Sequence, residues 1–429
     1  MALSMADRNF KTIGVDVDKK KIALIASGRS PIFEPHLEEL ISKEIKSGKF
    51  VISDDIRYAM KNSSITFVTV GTPSLPNESI NLASIKVVSG SMGKVLREVD
   101  GYHLIVLRST VIPGTTEKVI KPILETESGK ECGKDFGLCV NPEFISEGSA
   151  ISDIATPIRV VIGEYDEKSG NMLEDFYRKF YSKDIPRIIR TSPVNAELIK
   201  YTANSFLATK ISFINSMANL CEKIHGADIK IVSKAIGLDP RIGTSFLDAG
   251  LGWGGSCIPK DLKAILKFAQ SKTASLPIIE AALQINELRP ISAVNKARKA
   301  LGKLAGKRIA ILGLAFKPNT DDIREAVSIK IINKLIKEGA KITAYDPVAM
   351  DNIQKIFGKK ISLADSAKKC IARADCAILV TEWDEFRNLS PEDFKAEMNK
   401  PILIDGRRIY NAMEFSKKID YYAIGLKKT

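Results

Sequence analysis

The segment richest in reactive groups is Gly250-Leu-Gly-Trp-Gly-Gly-Ser-Cys-Ile-Pro-Lys-Asp261. Four glycines precede Cys257, and Pro259 opens a predicted helix directly after it. Glycines let a backbone approach phosphate or sugar closely and take up positive φ. A helix starting there aims its first amides and the positive end of its dipole at the thiol, with Lys260 close by. Both effects favour the nucleophilic thiolate. Asp261, four residues past Cys257, falls on the same side of the first turn. A glycine-rich turn carrying an inert, buried cysteine is the plainer account of such a stretch. The density of glycine, helix start and charge disfavours it here.

Lys200 and Asn204 are spaced i, i+4 in a helical segment and so share one face. A cation beside an amide donor can hold a developing oxyanion, although from the spacing alone a solvated polar stripe is the simpler account. Asn141-Pro-Glu-Phe-Ile-Ser-Glu147 places two carboxylates just past a predicted strand end, where open α/β sheets bind ligands. Acids at a helix N-terminus explain that spacing equally well. Gly71-Thr72-Pro73 and Ser109-Thr110-Val111 also follow predicted strands, and their hydroxyls and amides are placed to line the same crevice or simply to make turns. Gly313-Leu-Ala-Phe-Lys-Pro318, with Asp322 and Arg324 shortly after, resembles a phosphate-handling strand-to-helix turn but is not a full dinucleotide fingerprint.

The elements that must position these groups follow from length and periodicity. The chain has 429 residues, 64 Lys and Arg against 51 Asp and Glu, and a net charge of +13. At about 100–200 residues per domain this predicts two or three domains. A composition 45% hydrophobic and 27% charged excludes global disorder. The basic residues are scattered, with no aromatic-studded run, so a Lys-rich surface is favoured over nucleic-acid binding. No stretch of about 18 uncharged apolar residues occurs, so no membrane span is expected. Asp7 and Arg8 interrupt any secretory leader, which points to a cytoplasmic protein. Cys132, Cys139, Cys221, Cys257, Cys370 and Cys376 form no CxxC pair and have no His cluster beside them, so neither a metal site nor a disulfide framework is indicated.

Short β-branched runs at Thr12–Asp16, Ile65–Val70, Leu104–Leu107, Gly137–Val140 and Arg159–Ile162, with helical segments between them, predict a parallel α/β sheet. A capping Ser192 and Pro193 then open a helical period that continues to about Ala227. A second helical stretch runs from about Leu276 to Ala300. Strands are expected again at Arg308–Leu312, Lys341–Tyr345, Ala377–Val380 and Ile402–Ile404. The reading is α/β: two Rossmann-like, doubly wound domains over residues 1–190 and 302–429, joined by a helical domain over 191–301 that contains a long connecting helix.

The segments GTPS, RSTVIPGT, NPEFISEG, AELIKYTANSFLA, IGLDPRIG, GLGWGGSCIPKD, GLAFKPNTDDIREA and YDP span nearly the whole chain. In this order they resemble the UDP-glucose dehydrogenase family, within the wider nucleotide-sugar dehydrogenases. The resemblance implies a four-electron oxidation of UDP-glucose to UDP-glucuronate by two NAD⁺ in succession, through a Cys257 thiohemiacetal and thioester. It implies that Lys200 and Asn204 hold the oxyanion, that Asp261 and Thr110 organise proton transfer and water, that Glu143 assists hydrolysis and that Glu147 borders the nicotinamide. NAD contacts would come from Asp16, Lys21, Gly71, Thr72, Pro73, Ser109, Thr110, Lys260 and Arg324. Asp16 would hold the adenosine ribose and disfavour NADP. Contacts to the UDP-sugar would come from Glu143, Phe144, Lys200, Asn204, Arg241, Phe246, Leu247, Gly254, Phe316, Lys317 and Arg407. The resemblance further implies a homodimer through the central helical domain, with Arg241 reaching across. Relatives that oxidise N-acetylated UDP-sugars tend to have His before the cysteine, Val at the place of Lys260 and SPER in place of Asn141-Pro-Glu-Phe144. This chain therefore resembles the UDP-glucose branch.

One departure stands out. The family opens with a strand and a GxGxxG turn that cradles the NAD pyrophosphate, and this chain opens instead on what reads as the first helix and second strand. About twenty residues of the usual unit are missing. The expectation is a truncated first domain with two neighbouring strands short of a partner, exposed apolar surface and weak NAD⁺ binding; a start codon assigned too late is the favoured origin. Rival functions are a dehydrogenase of UDP-N-acetylmannosamine or UDP-N-acetylglucosamine and a catalytically impaired UDP-sugar-binding relative.

Overall fold

The computed structural model describes residues 1–427. The chain forms two compact units: Met1–Ala203 with Lys263–Lys272, and Asn204–Leu262 with the described chain from Thr273 onward.

The first unit carries strands β1 (Thr12–Val15), β2 (Phe50–Ser53), β3 (Ile65–Val68), β4 (His103–Leu107), β5 (Phe136–Val140), β6 (Arg159–Glu164) and β7 (Arg187–Thr191). Every residue of β4 and β5 is buried, as expected for central strands covered by helices on both faces. The sheet runs β3-β4-β5-β6-β7, while β1 and β2 pair only with each other. Among the described residues, β1 and β3 therefore each keep an edge with no strand on it. Val15 and Val51 are exposed in the small sheet, as is Val17 just beyond it. Pairing is parallel throughout this unit except between β5 and β6, which run antiparallel over Cys139–Glu164 and Val140–Gly163. The expected all-parallel sheet is corrected on this point. A loop and the six-residue helix Ala150–Ala155 separate the two strands.

The second unit contains β8 (Arg308–Leu312), β9 (Lys341–Tyr345), β10 (Ser362–Leu363), β11 (Cys376–Leu379), β12 (Ile402–Asp405) and β13 (Asp420–Ala423). They form one parallel sheet in the order β10-β9-β8-β11-β12-β13. This is the doubly wound order 3-2-1-4-5-6 of dinucleotide-binding folds.

The long helix runs unbroken over Pro193–Cys221, 29 residues, about 44 Å at 1.5 Å per residue. It stops six residues before the expected Ala227, where Lys223 and Ile224 turn back onto Leu220 and Cys221 and Gly226 takes φ +78°. The helix Pro277–Leu301 matches expectation and ends at Gly302. Strands β2, β7, β10 and β13 were not expected from the sequence, and each lies at the edge of its sheet.

Gly313, directly after β8, has φ +93°, and a Cβ there would lie 2.4 Å from Thr381 Cβ and 2.5 Å from the Thr381 backbone nitrogen. Both backbone strain and a hard backbone contact oppose any side chain. Gly313→Ala is expected to lower the stability of the second unit by about 2–4 kcal/mol, read as a shifted midpoint in urea unfolding. A loss below about 1 kcal/mol would show that the turn relaxes instead.

Candidate active site

In the first unit the crevice residues gather at the carboxyl ends of the strands. Thr72 Oγ1 donates to the Thr110 carbonyl at 2.8 Å, and Ser109 Oγ donates to the Val70 carbonyl at 2.6 Å, so the turns after β3 and β4 are tied together. Asp16 follows β1, accepts from the Asp18 amide at 2.9 Å and lies 4.0 Å from Lys21. Its half-exposed carboxylate suits ribose hydroxyls, and the linked turns suit the nicotinamide side. These residues fit NAD. A strand-preceded glycine turn for the pyrophosphate is absent among the described residues.

Glu143 and Lys200 meet in this unit. Lys200 Nζ donates to Glu143 Oε1 at 2.8 Å, and the Ile145 amide donates to Glu143 Oε2 at 2.6 Å. Burial alone would raise the Glu143 carboxyl, but the Lys200 charge and hydrogen bond, with the Ile145 amide, hold it below the usual carboxylate range. Lys200 is buried and has donors to spare for a second oxygen. Phe144 packs into a small cluster with Val140, Val161 and Ala196, with the Arg159 guanidinium 4.1 Å from its ring centre. Glu147 is half-buried.

The second unit holds the thiol. The helix Ile258–Ser271 begins directly after Cys257, and the Asp261 amide donates to the Cys257 carbonyl at 2.9 Å. Cys257 is exposed whereas the other five cysteines are buried, and burial pushes those five thiols up. Ser256 Oγ lies 3.5 Å from Cys257 Sγ. Asp261, almost sealed from solvent, accepts from Asn204 Nδ2 at 2.7 Å and from Lys260 Nζ at 2.6 Å. Lys260, expected beside NAD, is thus the partner of Asp261. The spacing Gly250-x-Gly252-x-x-Gly255 matches that of a dinucleotide turn, but no strand precedes it, so the pattern lacks its structural context.

The remaining sugar-side expectations divide. Phe316 flanks the glycine loop: a Cβ on Gly255, which has φ +86°, would come within 2.8 Å of its ring. Arg407 donates to the Val380 carbonyl at 2.6 Å and to the Gly252 carbonyl at 3.4 Å, and lies 3.2 Å from Glu382. Gly254 presses on backbone, where a Cβ would lie 2.3 Å from the Glu325 carbonyl oxygen. Leu247 is a core residue, leaving only its backbone for a ligand, while Phe246 is exposed with φ +64°. Arg241 and Arg324 are exposed and hold Asp239 and Asp322 within their own turns. Lys317 is half-buried.

The Gly313 turn is not an open phosphate cradle. Its Leu314 and Ala315 amides donate to Asp346 Oδ2 at 2.7 and 3.0 Å, and Trp383 Nε1 donates to the same oxygen at 3.0 Å. Sequence reasoning also missed Glu197, a buried carboxylate on the long helix. It accepts from the Gly114 amide, from the Thr116 amide at 2.9 Å and from Thr116 Oγ1 at 2.6 Å, and burial raises its carboxyl. Its position three residues before Lys200 was the available signal.

The second unit thus joins a doubly wound sheet to an exposed thiol at a helix start beside a Lys–Asp–Asn cluster, and with the relatives that follow the chain is an NAD-dependent dehydrogenase. The NAD-binding, central and UDP-binding domain models of the UDP-glucose/GDP-mannose dehydrogenase family match residues 1–181, 194–288 and 310–412, and the chain belongs to that family. It is 40% identical to a UDP-glucose 6-dehydrogenase of Haloferax volcanii, over 96% of this chain and 95% of that protein. It is 38% identical to a UDP-glucose 6-dehydrogenase of Rhizobium meliloti, over 97% and 94%. Among solved structures, a UDP-glucose dehydrogenase from Pyrobaculum islandicum superimposes with a TM-score of 0.91 at 34% identity, covering 99% of this chain and 94% of that one. A UDP-D-ManNAc dehydrogenase from Pyrococcus horikoshii gives 0.85 at 27%, covering 99% and 96%. No described helix is long and apolar enough to cross a membrane, and no group of metal ligands occurs among the described residues.

Because Glu143 is held below its unfolded value, the Glu143–Lys200 pair stabilises the fold fully above about pH 5 and is lost as pH falls through the folded-state value. Glu143→Gln should therefore cost stability at pH 7 and progressively less toward about pH 4, measured by chemical unfolding. An equal cost at both pH values would remove the pair as the cause.

Proposed function

We propose that the protein oxidises the C6 hydroxymethyl group of UDP-glucose to the carboxylate of UDP-glucuronate. The observation that carries this reading is Cys257, the one exposed thiol, at the start of a helix whose first turn holds Asp261 between Asn204 and Lys260. NAD⁺ supplies the hydride acceptor, two molecules per sugar nucleotide.

The chain's own residues carry the rest. Cys257 adds to the aldehyde carbon, forming a C–S bond and a thiohemiacetal; after the second hydride leaves, the adduct is a thioester. Water displaces the sulfur, so that one alcohol, one water and two NAD⁺ become one carboxylate, two NADH and three protons. Asn204 and Lys200, one turn apart on the long helix, are assigned to the oxyanion. Asp261 and Thr110 are assigned to proton and water handling, Glu143 to hydrolysis and Glu147 to the nicotinamide border. Phe316, Lys317 and Arg407 are assigned to the nucleotide sugar, with Arg324 toward NAD. Ser256, Lys260 and Asn141–Phe144 support UDP-glucose over an N-acetylated sugar.

A homodimer through the long helix is part of the same proposal. Phe206, Phe213 and Leu220 are exposed at seven-residue spacing on one face of it, an apolar stripe suited to a second copy.

Purified protein given UDP-glucose and NAD⁺ should yield two NADH per sugar by absorbance. Cys257→Ser should stop the second oxidation, and an unchanged glucuronate yield would end the nucleophile assignment. Turnover confined to an N-acetylated UDP-sugar would replace the substrate. Phe206→Glu with Phe213→Glu should halve the mass seen by light scattering; an unchanged mass removes this face from the dimer.

A further inference from the structure

The loop that delivers Cys257 cannot hold its own path. Between residues 250 and 255 four of six positions are glycine, which forfeits side-chain packing and carries the largest backbone entropy. Leu251 and Trp253 anchor it in two separate apolar clusters. The polar backbone is held by two side chains from one face of the helix Pro277–Leu301. Asn286 makes a two-way bond with Trp253: its Nδ2 donates to the Trp253 carbonyl at 2.9 Å and its Oδ1 accepts from the Trp253 amide at 2.8 Å. Arg289 grips the Gly250 carbonyl with Nε at 2.9 Å and Nη2 at 2.7 Å. Asn215, from the long helix, accepts from the Gly250 amide at 2.8 Å. Asn286 and Arg289 are both buried.

Arg289 is the odd member. Its hydrogen bonds go to neutral oxygens: the Gly250 and Asn215 carbonyls and the Asn219 side chain. A buried guanidinium without a carboxylate in its grip is costly. A purely structural tie to one carbonyl needs no charge. Two donors on a single oxygen, with the Asn286 pair three residues further along the loop, fix both translation and rotation of the segment that enters the helix at Cys257.

We propose that Asn286 and Arg289 are positioning residues for Cys257: they set the path of the glycine loop and thereby the place of the thiol relative to its helix start. This rests on the reading of Cys257 as nucleophile. The test compares Asn286→Ala and Arg289→Lys with Val294→Ala, a buried change in the apolar core of the same helix. In the two positioning variants kcat for UDP-glucose should fall about tenfold or more, since small misplacements of reacting groups are expensive, while KM moves less than about threefold. Alkylation of Cys257 by iodoacetamide, which needs no substrate, should slow at least about threefold as the thiol leaves its helix start. Val294→Ala, with its unfolding midpoint measured alongside, should leave kcat and alkylation at wild-type values. Wild-type kcat and alkylation in both positioning variants would overturn the proposal, as would Val294→Ala reproducing their losses. If Asn286→Ala does not fold, Arg289→Lys, which keeps the charge and loses the two-pronged grip, decides alone. A wild-type protein inactive on UDP-glucose would refute the substrate reading, leaving the alkylation comparison to judge positioning.

Discussion

A carboxyl group taken out of water must be met by donors, and Asp261 is where this demand shapes the molecule most. It is 1% exposed. Its two oxygens are answered from different directions, by Asn204 on the long helix and by Lys260 in its own first turn. Its amide closes the first hydrogen bond of that turn onto Cys257. The first turn of the helix that follows the thiol is thus tied to one buried acid. Removing Asn204 or Lys260 would leave that acid short of a partner, a larger penalty than either hydrogen bond is worth by itself.

Each of the two units places an aspartate just past a strand, Asp16 after β1 and Asp346 after β9, in contrasting settings. Asp16 is half-exposed and holds little beyond its own turn. Asp346 is fully buried, and it occupies the amides of the Gly313 turn and the Trp383 indole, besides the Val348 and Ala349 amides at 3.0 Å. An internal carboxylate there stands in for the anion that such turns bind elsewhere. That module keeps the architecture while its dinucleotide cradle is shut.

β4, β5, β8, β11 and β12 were legible because burial on both faces writes an apolar run, and β1 and β3, each with an open edge, because β-branched residues crowd them. β2, β7, β10 and β13 escaped notice because edge strands are half-solvated; Arg187–Thr191 and Asp420–Ala423 carry charges within or at the start of the strand. The antiparallel entry of β6 was invisible because periodicity carries no direction. Cys257 was legible from its glycines and helix start. Asn215, Asn286, Arg289 and Glu197 were not, since each is a single polar residue in a helical pattern whose partner is a backbone group dozens of positions away. Only the fold brings them together.

The chain has two tryptophans, and both sit at informative places. Trp253 lies inside the glycine loop, its indole donating to Ser212 at 3.1 Å, while Trp383 rests on Asp346. Indole emission is sensitive to polarity and hydrogen bonding around the ring, so the molecule carries its own optical gauge. With Trp383 replaced by phenylalanine, the remaining indole emission would come from the loop alone, and changes in the loop's surroundings could be followed in real time without any attached dye.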